Sequence, residues 1–177
     1  MKISITGHTQ GLGSALYRNL VNYGHDVIGL SLDNEYNIHD TERILEQVLP
    51  TECFINNAQS GFAQTELFLA VSKQWLNVPD KKIINIGSLL TLLPSSPYSS
   101  WNDLEYFVHK LSLQEAVKQV RNQKYNWPKI CTVNPGPLQT THTVGMDTDL
   151  FAKEVLSIIE NSKFYIEEIS IGLHNAW

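Results

Sequence analysis

The first 24 residues constrain the fold most, because they join a strand pattern, a glycine-rich turn and a helical pattern. Residues 2–6 form an apolar run rich in β-branched side chains. The segment 6–13 follows directly, and apolar residues then recur at helical spacing until Gly24. Glycines at such a turn let the backbone approach a pyrophosphate, whose charge is met by the N–H groups at the positive end of the helix. The segment therefore predicts a dinucleotide site.

Strand and helix patterns alternate along the rest of the chain. Further strands are predicted at 27–30, 36–38, 53–55, 82–86, 130–133 and 164–171, the second of these being a stub. Helices are predicted from 41, over 65–76, over 103–120 with Asp103 as the cap, and over 149–160. This alternation predicts one α/β domain over 1–177, a Rossmann-type doubly wound parallel sheet of about seven strands. Its ligand site should lie at the carboxyl edge of the sheet.

The connection after the second strand is unusually short. Residues 31–40 leave no room for a helix before Thr41, and a parallel crossover that carries a helix needs about a dozen residues. At the end of that strand, where NAD-selective sites place a carboxylate on the ribose 2′-hydroxyl, the chain has Ser31. The sequence thus favours NADP over NAD by a small margin. No arginine or lysine follows directly, and Asp33 is near enough to reverse the preference.

Tyr106 and Lys110 are candidates for acid–base chemistry. They lie four residues apart in a helical segment, so both side chains share one helical face. A lysine ammonium beside a tyrosine hydroxyl would stabilise the phenolate and lower the tyrosine pKa from about 10. The tyrosine could then donate or accept a proton near neutral pH. The same spacing also fits an amphipathic helix with a solvated lysine, so the interpretation depends on the surrounding motifs.

Five motifs, taken in chain order, resemble those of the short-chain dehydrogenases and reductases. Segment 6–13 is similar to the Thr-Gly-x-x-x-Gly-x-Gly loop of this family, and 56–58 to its Asn-Asn-Ala-Gly motif, with Gln59 in place of the final glycine. The other three matches are Ser88 after a strand, Tyr106 with Lys110 as Tyr-x-x-x-Lys, and Pro135 and Gly136 with the later Thr140. The chain resembles an unusually short member of the family.

The resemblance implies an NAD(P)-dependent oxidoreductase that interconverts a small carbonyl compound and its alcohol. Ser88 would hydrogen-bond the substrate carbonyl, Tyr106 would pass it a proton, and Lys110 would lower the tyrosine pKa and bind the nicotinamide ribose. The expected cofactor-binding residues are Gly7, Thr9, Gln10, Gly11, Leu12, Gly13, Ser31, Asn37, Asn57, Ala58, Lys110, Pro135, Gly136 and Thr140.

The departures from the family pattern leave a second hypothesis open. Segment 37–40 is similar to the Asp-Ile-x-Asp sequence of the deoxysugar-nucleotide reductase branch, with Asn37 in place of the first aspartate. The asparagine expected near the start of the helix at 65–76 is absent, and Gln64 or a water would have to replace it. A non-catalytic NAD(P)-binding regulatory or redox-sensing protein is therefore the alternative. The presence of Ser88 and Tyr106 favours the enzyme, because a binder needs only the glycine loop and the lysine.

Composition argues against several other classes. The net charge of −5, with 13 scattered Lys and Arg residues, argues against a nucleic-acid partner. No apolar run approaches the ~18 residues of a membrane span and no leader precedes residue 2, which predicts a cytoplasmic protein without a membrane partner. The six histidines and two cysteines lack metal-ligand spacing, so no metal site is expected.

Self-association is also expected. The predicted helix at 103–120 carries more apolar surface than packing on one sheet face requires, and the resemblance implies pairing through this helix and the one at 65–76. A homodimer or homotetramer would bury that surface. A broad core-facing stripe on a monomer is the alternative.

Overall fold

The computed structural model describes residues 1–92, 100–139, 145–161 and 165–172. In these ranges a six-stranded parallel sheet carries helices on both faces. The elements are β1 (Lys2–Thr6), α1 (Gly11–Tyr23), β2 (Asp26–Leu30), α2 (Thr41–Val48), β3 (Cys53–Asn56), α3 (Ala63–Gln74), β4 (Lys82–Ile86), α4 (Trp101–Arg121), β5 (Lys129–Pro135), α5 (Thr148–Glu160) and β6 (Glu168–Ile171). Short 3₁₀ turns lie at Leu32–Asn34 and Leu89–Leu92. The strand order is β2-β1-β3-β4-β5-β6, which confirms the doubly wound Rossmann-type sheet.

Helices cover the sheet on both sides, which explains why its strands are almost wholly apolar. Helices α1 and α5 pack on one face, and α2, α3 and α4 on the other. Successive residues of a strand point to opposite faces, so Cys53 and Ile55 enter the first core and Phe54 enters the second. Because neither face is open to water, a polar-apolar alternation is not needed.

The stub predicted at 36–38 does not form a strand, and β2 is an edge strand instead. Asp26 N donates to Met1 O, and Leu30 O accepts from Gly7 N, so the even-numbered residues of β2 face β1. The backbone groups of Gly29 and Ser31 therefore face the open edge. Asn34 folds back onto this edge: its Nδ2 donates to Gly29 O at 2.7 Å, and its Oδ1 accepts from Ser31 N at 2.8 Å. One carboxamide thus takes the place of a neighbouring strand.

Three other boundaries differ from the prediction. Helix α4 begins at Trp101, and its cap is Ser100, whose hydroxyl accepts from Asp103 N at 3.2 Å. Ser100 has the extended backbone that an N-cap requires, whereas Asp103 lies within the first turn. Helix α3 begins at Ala63, so Gln64 lies in its first turn. Strand β6 spans only Glu168–Ile171, and the predicted strand start at 164 lies outside the described residues.

No helix in the described part of the chain is both long enough and apolar enough to cross a bilayer.

Candidate functional site

The glycine loop between β1 and α1 has a shape that only glycine permits at two positions. Gly7 has a φ of +71°, in the left-handed region that side chains disfavour. A Cβ added to Gly13 would lie 1.9 Å from the carbonyl oxygen of Gly7. Gly11 and Leu12 open α1 directly behind the exposed residues Thr9 and Gln10. The first N–H groups of α1 therefore face an accessible surface where an anion can bind.

The end of β3 holds this loop in place. The hydroxyl oxygen of Thr6 accepts from Asn57 N at 3.0 Å and from Ala58 N at 3.1 Å. The side-chain amide of Asn57 donates back to Thr6 O at 3.0 Å and to Gly7 O at 3.3 Å. Thr6 was not among the predicted site residues, although it is the first residue of the glycine motif. It shapes the loop from within the sheet.

A cavity of about 470 Å³ opens beside the loop, at the carboxyl ends of β1, β2 and β3. The strand order changes direction between β1 and β3, and ligands bind at such a switch point in doubly wound sheets. The volume lies in the range of small-molecule pockets. The predicted cofactor residues that line the cavity are Gly7, Thr9, Gln10, Ser31, Asn37, Asn57 and Ala58. The structure thus brings together residues from three separate loops.

A cation that sequence reasoning missed lies beside this cavity, next to the lining residue Tyr36. Tyr36 lines the cavity, and the guanidinium carbon of Arg43 lies 5.1 Å from the centre of the Tyr36 ring. Ser31 is buried and its hydroxyl contacts Asn34 Oδ1 at 3.3 Å, while Asp33 is exposed on the cavity lining. Arg43 lies 12 positions after Ser31, on α2, so only the short connection between β2 and α2 could have signalled its approach.

Ser88 and Tyr106 meet across the segment that separates them in sequence. Ser88 follows β4 and is 8% exposed; its hydroxyl accepts from Leu90 N at 3.3 Å and lies close enough to the hydroxyl of Tyr106 on α4 to influence the tyrosine pKa. Tyr106 itself is 38% exposed. Burial of its hydroxyl raises the pKa of Tyr106, and the Ser88 hydroxyl offsets part of that rise. The expected lowering of the tyrosine pKa is therefore not observed.

Lys110 explains why the tyrosine pKa is not lowered. The ammonium donates to Gln64 Oε1 at 2.9 Å and to Ile86 O at 2.8 Å, and it lies 5.7 Å from the centre of the Tyr106 ring. Lys110 is 4% exposed, and burial lowers its pKa to about 7. The lysine is thus partly uncharged at neutral pH, and its hydrogen bonds are directed away from the tyrosine hydroxyl. Gln64 lies in the first turn of α3, near where the resemblance implies an asparagine.

The Pro-Gly segment ends β5, next to the strand that precedes Ser88. Pro135 is the last residue of β5, and Gly136 N donates to Ile171 O at 2.8 Å. A Cβ built on Gly136 would lie 3.7 Å from Leu89, the residue after Ser88, so the two segments adjoin. Thr140 lies outside the described residues. Within those residues, no group of three or more His, Cys, Asp or Glu side chains could hold a metal ion.

Comparison with known proteins places this geometry in a common fold. No family model matches the chain, and no curated protein matches it in sequence. The closed form of a serine dehydrogenase complexed with NADP+ is similar in structure, with a TM-score of 0.76 at 17% identity, over 97% of this chain and 94% of that chain. A short-chain dehydrogenase from Burkholderia cenocepacia J2315 in complex with NADP gives 0.75 at 17% identity, over 97% and 88% of the two chains.

A third similar structure is the 3-alpha-hydroxysteroid dehydrogenase from Pseudomonas sp. B-0831 complexed with NADH. Its TM-score is 0.73 at 14% identity, over 97% of this chain and 95% of that chain. At such identities the likeness concerns the fold. The chain has the fold of the short-chain dehydrogenases and reductases over almost its whole length.

Proposed function

We propose that the protein is an NAD(P)-dependent oxidoreductase that interconverts a small carbonyl compound and its alcohol. The observation that carries the proposal is the proximity of the Ser88 and Tyr106 hydroxyls, with the Lys110 ammonium 5.7 Å from the centre of the tyrosine ring. These three side chains lie at the carboxyl edge of the sheet, the same edge as the glycine loop. A protein that only binds a nucleotide has no use for a tyrosine hydroxyl beside a serine hydroxyl at this place.

The residues of the glycine loop and its cavity fit a nicotinamide adenine dinucleotide. Gly7 and Gly13 leave the backbone accessible at the start of α1, where a pyrophosphate would accept N–H bonds. The rest of the lining fits the adenosine half, and Lys110, Pro135, Gly136 and Thr140 would hold the nicotinamide half. The bound nicotinamide supplies or accepts the hydride. Similar structures carry NADP+, NADP or NADH, which supports this assignment.

NADP is the favoured form of the cofactor. The residue at the end of β2 is Ser31, so a carboxylate does not repel a 2′-phosphate at that position. Arg43, which stacks on Tyr36 beside the cavity and pairs with Glu35 at 3.4 Å, is the cation that would meet a phosphate there. The carboxylate of Asp33 on the cavity lining would repel a 2′-phosphate, which keeps the preference for NADP over NAD small.

The side chains divide the remaining chemistry between them. The Ser88 hydroxyl donates a hydrogen bond to the substrate carbonyl oxygen and orients it. The pKa of Tyr106 is raised, so its hydroxyl keeps its proton at neutral pH and can donate it to that oxygen as the alcohol forms. In the reverse direction Tyr106 must first lose its proton, and its phenolate oxygen then accepts the alcohol proton. Lys110 would bind the nicotinamide ribose beside the Tyr106 ring.

The protein is also proposed to form a homodimer through α3 and α4, which could pair further into a homotetramer. Much of the apolar surface predicted on α4 is core: Leu113, Val117 and Val120 are buried. Val108 and Leu111 on α4, and Leu69 on α3, remain exposed. A two-fold axis along these helices would cover them in a self-complementary interface.

A fluorescence titration with NADPH and NADH, followed by a screen of small ketones and aldehydes for oxidation of the reduced nicotinamide, tests the function. We expect both nicotinamides to bind and at least one carbonyl compound to be reduced. Failure of both to bind would overturn the proposal. Tight binding without turnover on any carbonyl compound would instead favour a non-catalytic NAD(P)-binding regulatory or redox-sensing protein.

A further inference from the structure

We propose that Gln64 is the positioning residue of the site, which fixes the place and the charge of Lys110 through a direct hydrogen bond. The role of Gln64 in catalysis rests on the proposed function, but the hydrogen bond between Gln64 and Lys110 does not. Gln64 Oε1 accepts from the Lys110 ammonium at 2.9 Å, and the glutamine is 2% exposed. No intervening water is needed at this distance.

The orientation of the Gln64 side chain is determined by its other contacts. Its Nε2 donates to Asn56 O at 2.8 Å and to Ile86 O at 3.0 Å. Both partners are carbonyl oxygens, which can only accept, so the amide nitrogen must face them and Oε1 must face Lys110. The side-chain amide of Asn56 in turn donates to Gln64 O at 2.9 Å, which holds the glutamine backbone at the end of β3. The position of the Oε1 acceptor is therefore fixed by the contacts of both the side-chain amide and the backbone of Gln64.

This arrangement directs the lysine toward a ligand. An ammonium has three N–H donors, and in the described part of the chain Gln64 and Ile86 receive two of them. Fixing two donors determines the direction of the third, which can then serve a ribose hydroxyl. A lysine stem has four rotatable carbons, so without Gln64 the ammonium would be held only by Ile86 O.

The same contact controls the charge of Lys110. The ammonium has lost its water shell through burial, and burial lowers its pKa to about 7. A hydrogen-bond acceptor stabilises the charged form, so Gln64 opposes the effect of burial. Removal of Oε1 should lower the lysine pKa further and leave a neutral amine at pH 7.

A change at Gln64 could also alter the pKa of Lys110 by disturbing the packing of α3 on α4. A variant at the neighbouring Thr65 separates this cause from loss of the hydrogen bond. Thr65 Oγ1 and Ser112 Oγ lie 2.8 Å apart and join the same helices, α3 and α4. The contacts of Lys110 at Gln64 and Ile86 do not include Thr65. Thr65→Val therefore removes a bond between the helices and leaves the acceptor of Lys110 in place.

The test is an NMR titration of protein labelled with 13C-lysine, in which the Cε signal missing from Lys110→Met identifies Lys110. In Gln64→Met we expect the pKa of Lys110 to fall by about one or more, the scale of a hydrogen bond to a charged group. Thr65→Val should leave it unchanged. An unchanged pKa in Gln64→Met, or an equal fall in Thr65→Val, would overturn the proposal. If Gln64→Met does not fold, Gln64→Asn, one methylene shorter, should give the same fall, and an unchanged pKa there would also overturn it.

An NADPH titration of the same variants tests the link to the cofactor. We expect the Kd to rise about tenfold in Gln64→Met and to stay unchanged in Thr65→Val. An unchanged Kd in Gln64→Met would overturn the positioning role. If the wild type bound neither NADPH nor NADH, the proposed function would fail while the NMR result on Lys110 still decided the role of Gln64. The two failures are therefore distinguishable.

Discussion

The Lys110 ammonium lies 5.7 Å from the centre of the Tyr106 ring, yet its hydrogen bonds go to Gln64 and Ile86. The Tyr106 hydroxyl lies beside the Ser88 hydroxyl instead. The two residues share a helical face but take part in separate polar contacts. Because burial raises the pKa of Tyr106, the hydroxyl keeps its proton at neutral pH and can act as an acid. This favours carbonyl reduction as the direction to assay first.

Tyr106→Phe should abolish most turnover and leave cofactor binding intact. The change removes one hydroxyl from a ring that is otherwise retained, so packing on α4 stays close to that of the wild type. We expect turnover to fall by about 10²-fold or more, the scale of a positioned acid. Steady-state kinetics and an NADPH titration measure the two effects, with Tyr125→Phe, an exposed tyrosine after α4, as the control. An unaltered rate in Tyr106→Phe would remove this tyrosine from the mechanism.

The stability of the wild type should rise from pH 7 to pH 8.5, and Lys110→Met should lack this rise. The folded-state pKa of Lys110, about 7, lies below its value of about 10.4 in the unfolded chain. Between those values the unfolded chain binds more protons, so the free energy of unfolding increases with pH. Lys110 contributes about 1.5 kcal/mol to stability over this interval, and ionisation of the two thiols in the unfolded chain offsets part of it. Urea unfolding at both pH values measures it.

The upper limit of that interval is set by the two cysteines. Burial raises the pKa of Cys53 and of Cys131 to about 12. Above about pH 8.5 the unfolded chain loses thiol protons that the folded chain keeps, which lowers stability as pH rises. If Lys110→Met showed the same increase as the wild type between pH 7 and 8.5, the low lysine pKa would be wrong.

Arg43→Gln should weaken NADPH binding and spare NADH. Arg43 is stacked on Tyr36 at the cavity, where the 2′-phosphate of NADPH would lie and NADH has only a hydroxyl. Loss of one charge-assisted bond corresponds to about a tenfold higher Kd for NADPH. Fluorescence titrations of both nicotinamides measure the ratio, and Lys124→Gln on the loop after α4 is the charge-matched control. Equal weakening of both nicotinamides would contradict a role in phosphate recognition.

Asn34→Ala should destabilise the sheet at its open edge. The variant loses the bonds to Gly29 O and Ser31 N, and the exposed position keeps the cost to about 1–2 kcal/mol. The uncovered edge of β2 should also make the protein aggregate more readily. Urea unfolding and light scattering measure the two effects. Asn22→Ala, an exposed asparagine on α1, is the control, and an equal loss of stability there would refute the proposed role of Asn34.

Leu111→Glu should convert the proposed dimer to a monomer. Leu111 is 41% exposed on α4, and a carboxylate there would be buried and unpaired in a two-fold interface. Light scattering at micromolar concentration should give about twice the 20.0 kDa chain mass for the wild type and the chain mass for the variant. Leu150→Glu, a similarly exposed leucine on α5, should remain dimeric. A wild-type mass equal to that of one chain would contradict the dimer proposal.

The sequence determined the sheet and the location of the site, because local patterns encode both. Fully buried strands read as continuous apolar runs, and the steric demand at Gly7 and Gly13 leaves a motif that is visible without a structure. Because the strands are parallel, the loops that follow them all lie at the carboxyl edge of the sheet. Tyr106 and Lys110 were likewise identified from their helical spacing together with the motifs around them.

Only the tertiary structure decided the electrostatics and the open edge of the sheet. The pKa of Lys110 depends on burial, and its ammonium donates to Gln64, which lies 46 positions away; the rise in the pKa of Tyr106 also depends on burial. The absence of a strand at 36–38 among the described residues depends on Asn34 folding back onto β2. Such contacts join residues that local pattern does not relate, and desolvation is a property of everything packed around a group. Neither can be read from neighbours in sequence.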